Sequence, residues 1–381
     1  MDHHATTPID PRVLEAMLPF FTQDFGNASS TDHLYGVRAH EAVERGREQV
    51  ASILNARPDE VIFTSGATES DNLALLGVSD RLASKGDHII TCVTEHKAVL
   101  DTAKHLEKMG KAVTYLPVDR YGMVDPADVE EAITDRTILI SIMAANNEIG
   151  TIAPLKEIGK VAKKHGVLFH TDAAQAVGHI PIDVKEMGID LLSLSGHKVY
   201  GPKGIGALYI KGANPKGKIS PVMFGGGHER GIRSGTYNVP GIVGLGLALE
   251  IAQHEMEMEN ERFIRWTKRM FESFQESIEG VFLNGHPERR LAHNLNVCFP
   301  GIESKALMHL LRNDIAISAG SACTTMSVEP SYVLKSIGLG DSEIYSAVRF
   351  GLGRQNSEDE VDYCINKFTH GIDRLKKFTM Q

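Results

Sequence analysis

A chain of 381 residues with 49 acidic and 40 basic side chains, a formal net charge of −9, has no electrostatic reason to seek nucleic acid or an anionic membrane. No window approaches the roughly 20 apolar residues of a membrane span, and MDHHATTPIDPRV has neither the basic nor the apolar region of a signal peptide. Four scattered cysteines, without C-x-x-C or zinc-like spacing, fit a reducing compartment, so the chain reads as a soluble cytoplasmic protein of roughly two to three domains.

From about Ser52 to Lys211, short apolar runs alternate with amphipathic helical patterns. Val61 to Thr64, Ile89 to Val93, Ala112 to Val118, Thr137 to Met143, Val167 to Thr171, Asp190 to Leu194 and Gly206 to Ile210 predict seven strands. Lys97 to Met109 and Leu155 to His165 predict helices between them. Asp125-Pro126 predicts another, with an N-cap aspartate and proline at the first helical position. This alternation predicts an α/β fold: a mainly parallel sheet covered on both faces, with ligands at the carboxyl ends of its strands. Leu245 to Glu279 is a long helical pattern, heavily charged from His254 onward, of the kind that connects domains. Leu295 to Phe299, Ile315 to Ser318 and Ala347 to Phe350 then predict strands of a smaller α+β unit. The expected organisation is a large domain over residues 15–255 and a small domain formed by residues 1–14 with 256–381.

Thr68, His96, Asn147, Asp172 and Lys198 each follow one of the predicted strands, which gathers them at one expected site. Lys198 lies in SGHKVYGPKG and Asp172 in HTDAAQ. A lysine for a Schiff base and an aspartate for a pyridine nitrogen are what pyridoxal phosphate requires of a protein. Taken singly, the lysine reads as a surface charge and the aspartate as a helix N-cap. TSGATESDN offers a phosphate the backbone N–H groups of Gly66, Ala67 and Thr68 and the Thr68 hydroxyl, and Ser195 and His197 extend that set. An ordinary turn capping a helix accounts for the same residues. Gln175 and Asn147 can bond a phenolate oxygen, and His96 can lie over a ring and move protons near neutral pH. GGGHERGIRSGT offers Arg230, Arg233 and Thr236 as anion ligands far along the chain. Arg349, in AVRFGLGR, suits a substrate carboxylate, a salt bridge being the plainer reading. Cys323 sits in SAGSACTTMSVEPS, a run of small residues that core packing would not select, and a free thiol is a strong nucleophile. Cys92, Cys298 and Cys364 read as buried and inert. His3-His4 lacks a third ligand nearby, so no metal site is expected.

The motifs DHHATTP, FGNASS, TSGATESDN, TEHKAV, NNEIGT, HTDAAQAVG, SGHKVYGPKG, GGGHERGIRSGT, GSACTT, EPSYVL and RFGLGR span almost the whole chain. In this order they resemble the cysteine desulfurases, within the fold-type I, class V aminotransferase-like pyridoxal phosphate enzymes. The GSAC context resembles the branch serving iron–sulfur cluster or nitrogenase assembly. The resemblance implies a fold-type I transferase with pyridoxal 5′-phosphate on Lys198, Asp172 on its pyridine nitrogen and Gln175 on its phenolate oxygen. It implies His96 stacked on the ring, Asn147 near the phenolate and the substrate carboxylate, and Ala67, Thr68, Ser195 and His197 at the phosphate. Thr236 would come from the neighbouring subunit of a homodimer. Arg349 and Asn27 would hold the carboxylate of L-cysteine, and Cys323 would carry sulfur as a persulfide. The implied products are L-alanine and sulfur for an iron–sulfur scaffold or another acceptor protein.

Overall fold

In the computed structural model, which describes residues 1–319 and 330–379 with side chains through residue 376, the apolar runs of the first half become one sheet. Its strands are β1 (Val61–Thr64), β2 (His88–Cys92), β3 (Ala112–Leu116), β4 (Thr137–Ser141), β5 (Leu168–Asp172), β6 (Leu191–Ser195) and β7 (Gly206–Ile210). β1, β2, β4, β6 and β7 are buried along their whole length, which is why runs such as Ile138-Leu139-Ile140 lack polar alternation. The order is β1-β7-β6-β5-β4-β2-β3. Pairing is parallel from β3 through β6 and antiparallel on both sides of β7. The connection from β6 to β7 spans residues 196–205, too short for the crossover of a dozen or more residues that a parallel return needs. The chain therefore doubles back across the strand ends, and that return carries His197 and Lys198.

Local chemistry sets the helix starts. Asp125 accepts from Ala127 N ahead of helix Pro126–Glu131, and His96 accepts through its ring from Ala98 N ahead of helix Lys97–Lys108. The long helix runs Val239–Ser277 and so begins before Leu245, because Asn238 caps it through Gly241 N and Pro240 suits its first turn. Its first part packs Val239, Ile242, Leu245 and Leu249 into the core beneath the large sheet. Its last part packs Phe263, Trp266, Met270 and Phe274 into a second core.

That second core lies on a four-stranded antiparallel sheet of order β10-β11-β9-β8, made of β8 (Phe282–Leu283), β9 (Asn294–Cys298), β10 (Ser318–Ala319) and β11 (Ala347–Gly351). Phe274, Phe299, Phe350 and Phe368 meet there, with ring centroids 4.7–5.5 Å apart. The N-terminal residues tie the two sheets together. His3 N donates to Gly351 O and Gly351 N to Met1 O, while Thr7 N and Asp10 N donate to His197 O and Tyr200 O. Gly351 is required at this crossing, since a Cβ there would stand 2.8 Å from His4 N. Among the described residues no helix is long and apolar enough to cross a membrane.

Candidate active site

A cleft of about 500 Å³ opens where the N-terminal segment, the turn after β1, the end of β5 and the β6–β7 connection converge. Ala67, Thr68, His96, Asn147, Asp172, Gln175, Ser195, His197, Lys198 and Arg349 all line it, although up to 282 positions separate them in the chain (349 − 67). Asn27 does not: its side chain is exposed elsewhere and accepts from Ser29 N at 3.0 Å. Thr236 is exposed and does not line the cleft of its own chain. Cys323 lies outside the described residues.

At the base of the cleft, Asp172 is buried as the last residue of β5 and accepts from Ala174 N at 2.9 Å. Burial raises its pKa, against the pull of His96 and Lys198. Two further buried carboxyls lie behind it. Asp71 lies 3.6 Å from His170 Nε2, and burial with the adjacent Asp172 pushes its pKa well up against the pull of Ser193. Glu95 accepts from Met143 N at 2.6 Å and from the Cys92 thiol at 3.2 Å, and burial pushes it up to about 8. His170, bonded to Ser141 and Ser193, is held neutral by burial with a pKa of about 3 and brings no compensating charge. Three carboxyls in this setting cannot all ionise. A cationic ring nitrogen beside Asp172 is the partner that would stabilise one negative charge here, which fits a pyridinium.

Glu95 provides a clean test, because its proton contributes stability below its unfolded pKa and that contribution is lost as pH rises through its folded value. In cofactor-free protein, the stability of Glu95→Gln relative to wild type is expected to rise between pH 4.5 and about 8, by at most about 1.4 kcal/mol per pH unit. Thermal melts across that range check it, and a constant difference would refute a protonated Glu95.

The other end of the cleft suits an anion. Gly66, at φ 153°, caps helix Ala67–Arg81 with no side-chain bond, and the first-turn N–H groups of Ala67 and Thr68 have no intrahelical acceptor. His197 bonds Thr6 through Nδ1 at 3.1 Å, and burial with Lys198 and Lys203 lowers its pKa to about 4. It therefore serves this end as a neutral hydrogen-bonding ring. Lys198 Nζ donates to the peptide oxygens of His4 and Ala5, and Gln175 is bonded to His4. His96 accepts at Nδ1 from Ala98 N, which places its ring proton on Nε2.

Arg349, buried on β11, reaches the cleft from the second sheet. It donates to Asn147 O at 2.9 Å and pairs with Asp2 at 3.1 Å, so the salt-bridge reading holds for part of the guanidinium. Its Nε and the Asn147 Oδ1 are buried without partners, and both suit a bound carboxylate and amine or hydroxyl.

The distal glycine-rich loop departs from the sequence expectation. Arg233 pairs with Glu69 at 2.8 Å and Arg230 donates to Val61 O at 2.6 Å, so both arginines are engaged within the chain. The sequence reading also missed Asp71 and Glu95. A signal for Asp71 was present: it shares a helix face with Ala74, Leu75 and Val78, all buried, where a solvated carboxylate has no place.

Comparison with known proteins agrees with this geometry. Residues 1–364 match the family Aminotransferase class-V. Cysteine desulfurase IscS of Rickettsia massiliae is 50% identical over 379 residues, covering 100% of this chain and 92% of the relative. The protein of the same name from Anaeromyxobacter dehalogenans is also 50% identical over 379 residues, covering 100% and 93%. Among solved structures, a NifS-like protein superposes with a TM-score of 0.91 at 38% identity over 98% of both chains. A structure described as SspA in complex with cysteine has a TM-score of 0.81 at 41% identity, covering 92% of this chain and 97% of that one. The chain belongs to the class-V aminotransferase family of pyridoxal phosphate enzymes and, within it, to the cysteine desulfurases.

Proposed function

We propose that this chain converts L-cysteine to L-alanine and collects the sulfur on Cys323 as a persulfide, for delivery to iron–sulfur cluster assembly or another acceptor protein. The observation that carries the reading is one cleft holding Lys198, a buried Asp172 with surplus carboxyls behind it, and the partly unbonded Arg349. Pyridoxal 5′-phosphate, when bound, supplies the electron sink for charge developing on the substrate. Lys198 would hold it covalently, and as a free amine is the base for the substrate Cα proton. Asp172 would keep the ring nitrogen protonated, and Asn147 and Gln175 would hold the ring oxygen. Ala67, Thr68, Ser195 and His197 would hold the phosphate. His96 would lie against the ring and exchange the proton of the substrate thiol. Arg349 orients the substrate carboxylate. The Cys323 thiolate attacks the substrate sulfur, the carbon–sulfur bond breaks with its electron pair left on carbon, and two protons, one to Cβ and one returned to Cα, complete alanine.

A homodimer accounts for Thr236, which would reach the phosphate of the neighbouring subunit. In support, Val222, Met223 and Phe224 precede that loop and are exposed, Phe224 by 82%, as an unpaired interface would be. The cytoplasm is the compartment proposed, since scattered cysteines without disulfide spacing fit reducing surroundings.

Cys323→Ser is expected to keep the cofactor and lower coupled formation of alanine and sulfide by at least about 100-fold. Assaying both products with excess cysteine and reductant checks this. Sulfide release at the wild-type rate would remove Cys323 as the nucleophile, and a keto acid in place of alanine would mark transamination.

A further inference from the structure

Three buried imidazoles stack behind the cleft. The His4 ring lies on His293 with centroids 4.4 Å apart and planes at 19°, and His293 lies on His179 at 4.2 Å and 30°. They come from distant segments: the N-terminal crossing, the residue before β9, and the turn after β5. Phe263 of the long helix flanks the middle ring at 6.0 Å, and Asn260 of the same helix donates to His179 O.

The column closes on Lys198 at both ends. His179 Nε2 donates to the backbone oxygen of Lys198 at 2.9 Å, while the peptide oxygen of His4 accepts from Lys198 Nζ. His4 also holds Gln175 reciprocally. Its Nδ1 donates to Gln175 Oε1 at 3.1 Å, and Gln175 Nε2 donates back to His4 O at 3.1 Å. These bonds put the His4 proton on Nδ1. They leave its buried Nε2, like the buried Nδ1 of His293, without a partner. A cationic His4 or His293 would need an acceptor for its added N–H, and neither has one at that nitrogen.

The charged groups facing the column make protonation harder. Arg349 and Lys198 act on His4 and Arg354 and Lys198 on His179, and a proton on His3, His4 or His179 would oppose a second on His293. The nearby carboxylates are turned to the arginines: Asp2 to Arg349, and Asp10 and Glu259 to Arg354. Burial, with these cations, brings His179 down to about 4 and His4 and His293 well below the ordinary histidine value.

We propose that the His4–His293–His179 column is the positioning element for Lys198, fixing its backbone carbonyl through the His179 ring and the peptide beside its amine through the seating of His4, and that it works only while all three rings are neutral. The proposal rests on the reading of Lys198 as the residue that carries the cofactor. The sign of its pH dependence follows from linkage. Below about 6.5 the unfolded chain takes up protons at these histidines while the folded column refuses them, so the arrangement weakens as pH falls. Because the rings arise from both sheets, the column also ties the second core to the amine.

The experiment uses the cofactor-loaded enzyme and reads Schiff-base absorbance and cofactor release by ultrafiltration between pH 4.5 and 8. His293→Phe keeps a flat ring in the stack and removes one site of protonation. It is expected to match wild type at pH 7.5 and to move the midpoint of acid release down by at least about half a pH unit. His293→Ala opens the stack and is expected to shift the titration of the Schiff-base band by about one pH unit and to speed release at pH 7.5. Identical release midpoints in wild type and His293→Phe would overturn the proposal, as would a His293→Ala enzyme with unchanged band and release. Borohydride reduction of the wild type with peptide mapping separates the two readings. Cofactor fixed on another residue would end the Lys198 assignment itself, whereas cofactor on Lys198 with unmoved midpoints would end the column alone.

Discussion

Lys198→Ala is expected to bind cysteine but to lower turnover by about 1000-fold or more, with the fold retained. The lysine sits on the short return between β6 and β7, and both strands are buried and fully paired without it. Its amine makes part-buried bonds to the peptide oxygens of His4 and Ala5, so the stability cost should be about 1–2 kcal/mol. On the proposed reading, what cannot be replaced is a covalent anchor that also serves as the base for the substrate Cα proton. Rates of alanine formation, a thermal melt and borohydride mapping of the cofactor together test this. Turnover near the wild-type rate would remove Lys198 from the mechanism.

Glu229→Gln is expected to give the largest loss of stability, about 3–5 kcal/mol. Glu229 and Arg230 hold left-handed backbone at φ 47° and 57°, conformations that cost non-glycine residues about 1–3 kcal/mol each. They persist because the buried Glu229 carboxylate takes both terminal nitrogens of the buried Arg47, at 2.8 and 2.9 Å, and Phe63 N at 2.8 Å. Removing the charge strands a guanidinium held against the Phe63 ring, with the exposed Glu44 as its remaining anionic partner. Urea denaturation measures the loss. Adding Arg47→Met should recover much of it, since the penalty is mainly that of an uncompensated buried cation. The anchored loop carries Thr236, so the same variant should hold the cofactor less firmly if a neighbouring subunit uses that hydroxyl. A loss below about 1 kcal/mol would show that the pair does not hold the loop.

The strands of the large sheet were legible because a layer covered on both faces demands uninterrupted apolar runs, and Val61–Thr64 and Gly206–Ile210 agree residue for residue. Ends were less legible. β5 extends to Asp172 because that residue pairs with Ser193 on β6, and pairing is a property of the neighbour. Asp71 and Glu95 were hidden inside motifs read for other residues, since burial of a carboxyl depends on what packs against it.

The residue types and their order along the chain were enough to determine the family and to nominate its chemical groups: an amine, a carboxylate, a helix start suited to an anion and an isolated thiol, each tied to its own local segment. The tertiary structure alone decided the reversal of β7, the engagement of Arg230 and Arg233 by Val61 and Glu69, and the meeting of His4 with His179 and His293. Periodicity and capping report only on a residue's neighbours within a turn or a strand. Which distant segments share a desolvated interior is settled by the packing of the whole chain, and it is that packing which brings His4, read in the sequence only as half of an incomplete metal site, onto His293 beside Lys198.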